Sequence, residues 1–165
     1  MRGKPMVTLL AAVLLSWLVV AATAAGGRTA SSSRAVVKVA FNKTLKQAIV
    51  VDESGRTVYM FTSDTNGTPT CAKEDPVCPK IWPAFTTTGK PLAGKGINAR
   101  LLGTARGAGG SQQVTYNRHP LYYYHGGFGA PGRDKKPGDV EGQNFFSSWY
   151  VLSPKGTPIR TPIHS

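Results

Sequence analysis

Cysteine, histidine and acid are all scarce in this chain of 165 residues, which has two Cys, three His and eight Asp plus Glu. Only 17% of residues are charged, while Gly and Pro number 19 and 12. A coiled coil or long helical bundle needs abundant Ala, Leu, Glu and Lys at helical spacing, so both are excluded. Also missing are a G-x-S-x-G nucleophile elbow, an H-E-x-x-H zinc helix and a phosphate-binding glycine loop. An enzyme is therefore unsupported, and no cofactor is expected. Against these shortages stand 20 Lys plus Arg, a formal charge of +12, and 41% hydrophobic residues. That apolar content is too high for a disordered basic tail and suits one small domain.

The first segment is a targeting signal. Arg2 and Lys4 precede an apolar run from Met6 to Ala22, and Ala22-Thr23-Ala24 supplies a small-residue cleavage pattern. Residues 1–25 are read as a signal peptide cut near Ala24-Ala25, with an uncleaved anchor as the rival, since a run of 17 residues broken only by Thr8 and Ser16 approaches the length of a bilayer span. No Cys follows the run, which excludes a lipid-modified N-terminus. Removing 25 of the 165 residues, Arg2 and Lys4 among them, leaves 140 residues and a charge of +10. Residues 26–35 (GGRTASSSRA) read as a flexible lead-in, residues 36–159 as the folded part, and residues 160–165 as a tail.

Periodicity within 36–159 is that of strands. Val37, Val39 and Phe41 alternate with Lys38, Ala40 and Asn42. Ala48–Val51 and Arg56–Phe61 flank Asp52-Glu53-Ser54-Gly55 as a hairpin in which Gly55 takes positive φ. Gln113–Tyr116 and His119–Tyr124 flank Asn117-Arg118 as a second hairpin, with Pro120 where no ladder donor is needed. Ser148–Leu152 is a further strand closed by Ser153-Pro154-Lys155-Gly156, and the one good helix candidate lies near Asn98 to Leu102. The two hairpins align with Tyr59 over Tyr122, a period of 63 residues, and each is followed by a polar loop and a Trp, Trp82 and Trp149. The fold class is all-β: two tandem hairpin or meander units, about 46–91 and 112–158, packed as one pseudo-symmetric domain.

Tyr59-Met60-Phe61-Thr62-Ser63-Asp64 fits the pattern Y-x-[FWY]-x-x-D. With Cys71 to Trp82-Pro83, Leu101–Thr104, Val114–Asn117, His119–Tyr123, Asp134–Asp139 and Trp149–Pro154, it resembles the bacterial secreted-repeat family of predicted lipoproteins of unknown function. The resemblance covers about Ala48 to Ile159. Two departures stand out. Gly126 to Arg133 intervene before the second acid, Asp134, and the cysteines are wider apart than usual, without the lipid-bearing Cys of many members. The resemblance implies an exported repeat and says little about activity, because the family has no agreed biochemical role.

The chemistry is then weighed residue by residue. Cys71 and Cys78 are an even pair in an exported chain, so a disulfide is the direct reading, worth about 2–3 kcal/mol by loop closure. The pair lacks the two-residue spacing of a redox motif, and no clustered His completes a zinc site. His119 and His125 lie six residues apart on one expected strand, about 20 Å, too far to share a metal unless the strand breaks. Either could serve singly as a haem or copper ligand; the plainer reading is an exposed strand histidine. Tyr59 and Phe61 share a face, as do Tyr122 and Tyr124. With Trp82 and Trp149 they suit either a packed core or a platform for a small flat ligand such as a sugar or quinone-like ring. These six, with Asp64, His119, Asp134 and Asp139, are the candidate ligand-binding residues. Asp134, Asp139 and Glu141 do not have calcium-loop spacing, and Lys135 and Lys136 oppose a cation there.

From Pro76 to Arg133 there is no acid, while seven Lys and Arg are spread over 58 residues. Such a stretch can face anionic cell-wall polymer or a membrane surface, or it can be a domain that is merely basic. Its even spacing points to no specific nucleic-acid partner. The expectation is an exported, non-enzymatic repeat domain, secreted or held at the cell envelope, acting through a basic, aromatic-rich surface. Its alternatives are a redox-cofactor or metal binder and a hydrolase using the Asp134 to Glu141 loop.

Overall fold

Strands that are buried on both faces carry unbroken apolar runs, and two such runs organise this domain. Val58 to Phe61 and Trp149 to Leu152 are buried throughout. They pair antiparallel as β3 (Tyr59–Phe61) and β9 (Trp149–Val151), with Tyr59 opposite Val151 and Phe61 opposite Trp149. The computed structural model describes Gly3, residues 34–130 and residues 132–163. The expected signal peptide, almost all of the lead-in, and His164 lie outside the described residues. The chain divides into two compact units, Met1–Ala30 and Ser31–Ser165, and the sheets belong to the second.

Before β3 come β1 (Val36–Asn42) and β2 (Gln47–Asp52), and after it the helical turns α1 (Cys71–Glu74) and α2 (Cys78–Ile81). The chain continues through β4 (Thr86–Thr87), β5 (Leu92–Ala93), β6 (Leu102–Arg106), β7 (Gln112–Tyr116) and β8 (His119–Pro120) to β9. One sheet has the order β2-β1-β5, a second is the β3-β9 pair, and a third runs β4-β7-β6 with β8 also on β7. The architecture is strand-rich, as the periodicity requires.

Residues 119–125 are the thread that joins these sheets. Beyond β8, Tyr122 and Tyr59 exchange backbone hydrogen bonds of 2.8 and 2.9 Å. Leu121 accepts from Phe85, Tyr123 donates to Pro83 and His125 donates to Ile81. Alternation along this thread and along β3 and β9 divides the interior in two. Tyr59, Phe61, Tyr122, Tyr124, Trp149 and Val151 face one cluster with Trp82. Val58, Met60, Leu121, Tyr150 and Leu152 face the other, with Val114 and Tyr116.

Several expectations hold in detail. Asn117 and Arg118 both take positive φ, +48° and +67°, and close β7 onto β8 as a two-residue hairpin. Gly156 N–H donates to the Ser153 carbonyl and closes the turn after β9. Asn98 caps a single 3-10 turn, Ala99–Leu101, through its side chain.

Other expectations are corrected. The first hairpin does not form as drawn: β2 takes β1 as its ladder partner through the turn at residues 43–46. The Asp52–Gly55 turn does close, with Asp52 N–H donating to Arg56 and a bridge from Val51 to Thr57. After it the chain leaves β2 for β9, because Val58 to Phe61 has two faces to bury and an edge of β2 covers neither. The two segments aligned as copies are therefore paired differently, one as a hairpin and one across the domain. Phe41, expected on the buried face of β1, is 69% exposed. Asn98 to Leu102 is also not the sole helical segment, since α1 and α2 each begin at a cysteine.

Candidate functional site

The disulfide links the starts of α1 and α2, so the loop between them is tied at both ends. Trp82 N–H donates to the Cys78 carbonyl at 2.7 Å, which hands the fixed geometry of that loop to the Trp82 ring. Trp82 then stacks on Trp149 at 3.8 Å between centroids, and Phe61 stacks on the other face of Trp149 at 4.2 Å. Tyr59 and Tyr122 meet this pile edge-on, against Trp82 and Trp149 respectively, and Tyr124 leans on Trp82. Each such pair contributes about 0.5–1.5 kcal/mol beyond its buried area. The structure thus gathers all six candidate rings, and buries all six against one another.

Two tyrosine–carboxylate pairs flank the pile, and they are crossed. The Tyr59 hydroxyl donates to Asp134 Oδ2 at 2.7 Å and accepts from Gly142 N–H at 3.3 Å. Asp134 Oδ1 accepts from Glu141 N–H at 2.9 Å. Burial raises the Asp134 carboxyl to about 7 in spite of these donors, and burial together with that carboxylate holds the Tyr59 phenol well above its usual value. The acid of the Tyr59 motif, Asp64, sits instead beside Tyr122. Its Oδ1 accepts from Thr70 N–H at 2.7 Å and from the Thr70 hydroxyl at 2.9 Å. Asp64 Oδ2 and the Tyr122 hydroxyl are both buried without a hydrogen bond of normal geometry, although burial and the Asp64 carboxylate raise the Tyr122 phenol. Burial also raises Asp64.

Outside the pile lies a depression of about 270 Å³ lined by Arg56, His125, Arg133, Lys135, Lys136 and Asp134. The Arg56 guanidinium covers the Tyr123 ring at 3.9 Å, and Tyr123 donates to Asp52 at 3.1 Å, so this cation is held by a built contact. Burial, then the Arg56 and Arg133 guanidinium groups, push His125 below its ordinary value. Asp139, a candidate residue, accepts from the backbone N–H groups of Lys135 and Lys136 at 2.9 and 3.0 Å and so fixes the loop that presents their side chains.

His119 and His125 are not brought together in one site. His119 is half-buried at the β7–β8 hairpin, with its Nδ1 unpaired and burial pushing the imidazole down. Among the described residues no three His, Cys, Asp or Glu side chains gather as a metal set. Sequence reasoning missed Arg56, His125, Arg133, Lys135 and Lys136 as a group, because Arg56 comes from the β2–β3 turn and the others from the long β8–β9 connection. It also missed Gln143, which is buried and ties β9 to the C-terminal segment: its Oε1 accepts from Val151 N–H, and its amide donates to the Ile159 carbonyl at 2.7 Å.

The contacts thus run between the segment around Tyr59 to Trp82 and the segment around Tyr122 to Trp149 within one strand-rich domain. Residues 103–153 match the model of a family described as a secreted repeat of unknown function. The match supports the expected family over the segment that holds Tyr122, Asp134 and Trp149, while the Tyr59 to Asp64 stretch lies outside it. No curated protein and no solved structure matches the chain.

Proposed function

We propose that the protein is an exported, non-enzymatic repeat domain that binds anionic polymer of the cell envelope at the depression between Arg56, His125 and the Arg133–Lys136 loop. The observation that carries this reading is the sign of the lining groups. Four cations, Arg56, Arg133, Lys135 and Lys136, meet one carboxyl there beside the His125 imidazole, and burial holds that carboxyl's proton to about pH 7. The aromatic part of the expected surface contributes differently, as the rigid pile that anchors Tyr59 and through it Asp134. A site built from exposed cations over a fixed base suits a polymer with repeated negative charge.

Co-sedimentation of the full chain with purified cell wall, against salt, tests it. Binding is expected at low ionic strength and is expected to fall as salt is raised, since the cations are exposed. Replacing Arg133, Lys135 and Lys136 together by Ala should abolish it with the fold intact. Retention by the triple variant, or no binding at low salt, defeats the proposal. Anionic vesicles run in parallel distinguish wall polymer from a lipid surface.

A further inference from the structure

Glu74 and Asp75 are two of the eight acids in a chain of net charge +12, and both project from the disulfide-tied loop. They stand at a pocket of about 290 Å³ that shares no lining residue with the cationic depression and whose other walls include Phe61, Phe145, Phe146 and Trp149. None of the residues lining this pocket is cationic. Asp75 is fixed by accepting from Val77 N–H at 2.8 Å. Both faces of Trp149 are taken by Phe61 and Trp82, so the rings left to offer a face are Phe145 and Phe146.

Phe146 is 85% exposed. Its backbone lies in the left-handed region at φ +47°, with Asn144 at +59° and Ser147 at +53°. Non-glycine residues pay for that conformation, and a phenyl ring pays again for standing in water. The turn is nonetheless held firmly. Ser147 N–H donates to Asn144, Ser148 N–H to Phe145, and the Ser148 hydroxyl to the Phe146 carbonyl at 3.0 Å. A ring kept outward by a strained, fully bonded turn, beside carboxylates and other rings, has the composition of an aromatic cation site. Ring faces carry negative charge, and the acids add to it.

We propose that this pocket binds a small organic ammonium cation, held over Phe145 and Phe146 and opposite Glu74 and Asp75. The charge of the rim selects the occupant: an anion meets two carboxylates, and a neutral ligand gains nothing from them.

Saturation-transfer NMR on the full chain tests it with choline as the probe, at ionic strength matched with sodium chloride. Irradiating aromatic protons should transfer magnetisation to the choline N-methyl groups. The uncharged isostere with carbon in place of nitrogen should bind at least about fivefold more weakly, the difference one cation–π contact makes. Phe146→Ala should weaken choline binding by a similar factor, and Glu74→Gln by somewhat less. Both positions are exposed, so the fold should survive, and near-UV circular dichroism checks that it does. Absence of transfer, equal binding of the uncharged isostere, or wild-type affinity in both variants overturns the proposal.

Discussion

The two tyrosine–aspartate pairs use the same side chains to different ends. Tyr59 and Asp134 are joined by a short hydrogen bond and share further donors in Gly142 and Glu141. Tyr122 and Asp64 also face one another closely enough for the carboxylate to raise the phenol, yet their contact lacks regular hydrogen-bond geometry. The contrast follows from what each acid is otherwise asked to do. Asp64 spends its bonded oxygen on Thr70, the residue just before α1, and so is bound to the disulfide loop. Asp134 comes from the long connection between β8 and β9, which carries it onto the Tyr59 hydroxyl. Identical residue types therefore yield one pair with a short, regular hydrogen bond and one without regular geometry.

The largest break in this contrast comes at Gly142. A Cβ there would lie 2.7 Å from Trp82 and 2.8 Å from the Tyr124 ring, while its N–H serves the Tyr59 hydroxyl. Gly142→Ala should cost about 3 kcal/mol in urea unfolding, by wedging the pile and pulling a donor off the satisfied pair. Tyr59→Phe should cost about 1–2 kcal/mol, because it strips Asp134 and Gly142 of a partner. Tyr122→Phe removes a hydroxyl whose contact with Asp64 lacks regular hydrogen-bond geometry and should cost less than Tyr59→Phe, about 0.5–1 kcal/mol. Equal losses in the two tyrosine variants would show that the pairs are alike after all.

A separate effect is one of pH. Asp134 has a folded-state value of about 7, raised by burial above its ordinary 3.8. Its contribution is thus complete below about pH 4 and is lost as pH rises through about 7. Asp134→Asn resembles the protonated acid. The stability of wild type relative to Asp134→Asn should decline between about pH 4 and 7 and be level above, as read from urea midpoints at several pH values. A difference that does not change with pH places the Asp134 titration elsewhere.

How far the sequence reveals this structure depends on whether a feature is local. Asn117-Arg118 announces a tight turn because those residues tolerate positive φ, and the turn is there. The cysteine pair and the strand at Trp149 are equally local, and both are found. The partner of β2 is not legible, because Asp52–Gly55 is a good turn that the chain uses without continuing the ladder beyond Thr57. The turn that does join β1 to β2 has no glycine and relies on Lys46 at φ +54°. Six rings at matching positions foretell a shared core, but the motif spacing from Tyr59 to Asp64 carries no sign that each belongs to a different pair. The cationic depression was hidden for the same reason, since its residues converge from loops that are distant in sequence.

The crossing bears on what counts as one unit of this protein. Residues 103–153 hold Tyr122, Asp134 and Trp149, but the groups these meet, Asp64, Tyr59, Phe61 and Trp82, all lie outside that segment. The stretch that matches the family and the stretch that closes the core are consequently of different extent. Residues 103–153 cut out alone would carry one partner of each contact, whereas that fragment mixed with residues 34–102 would carry both.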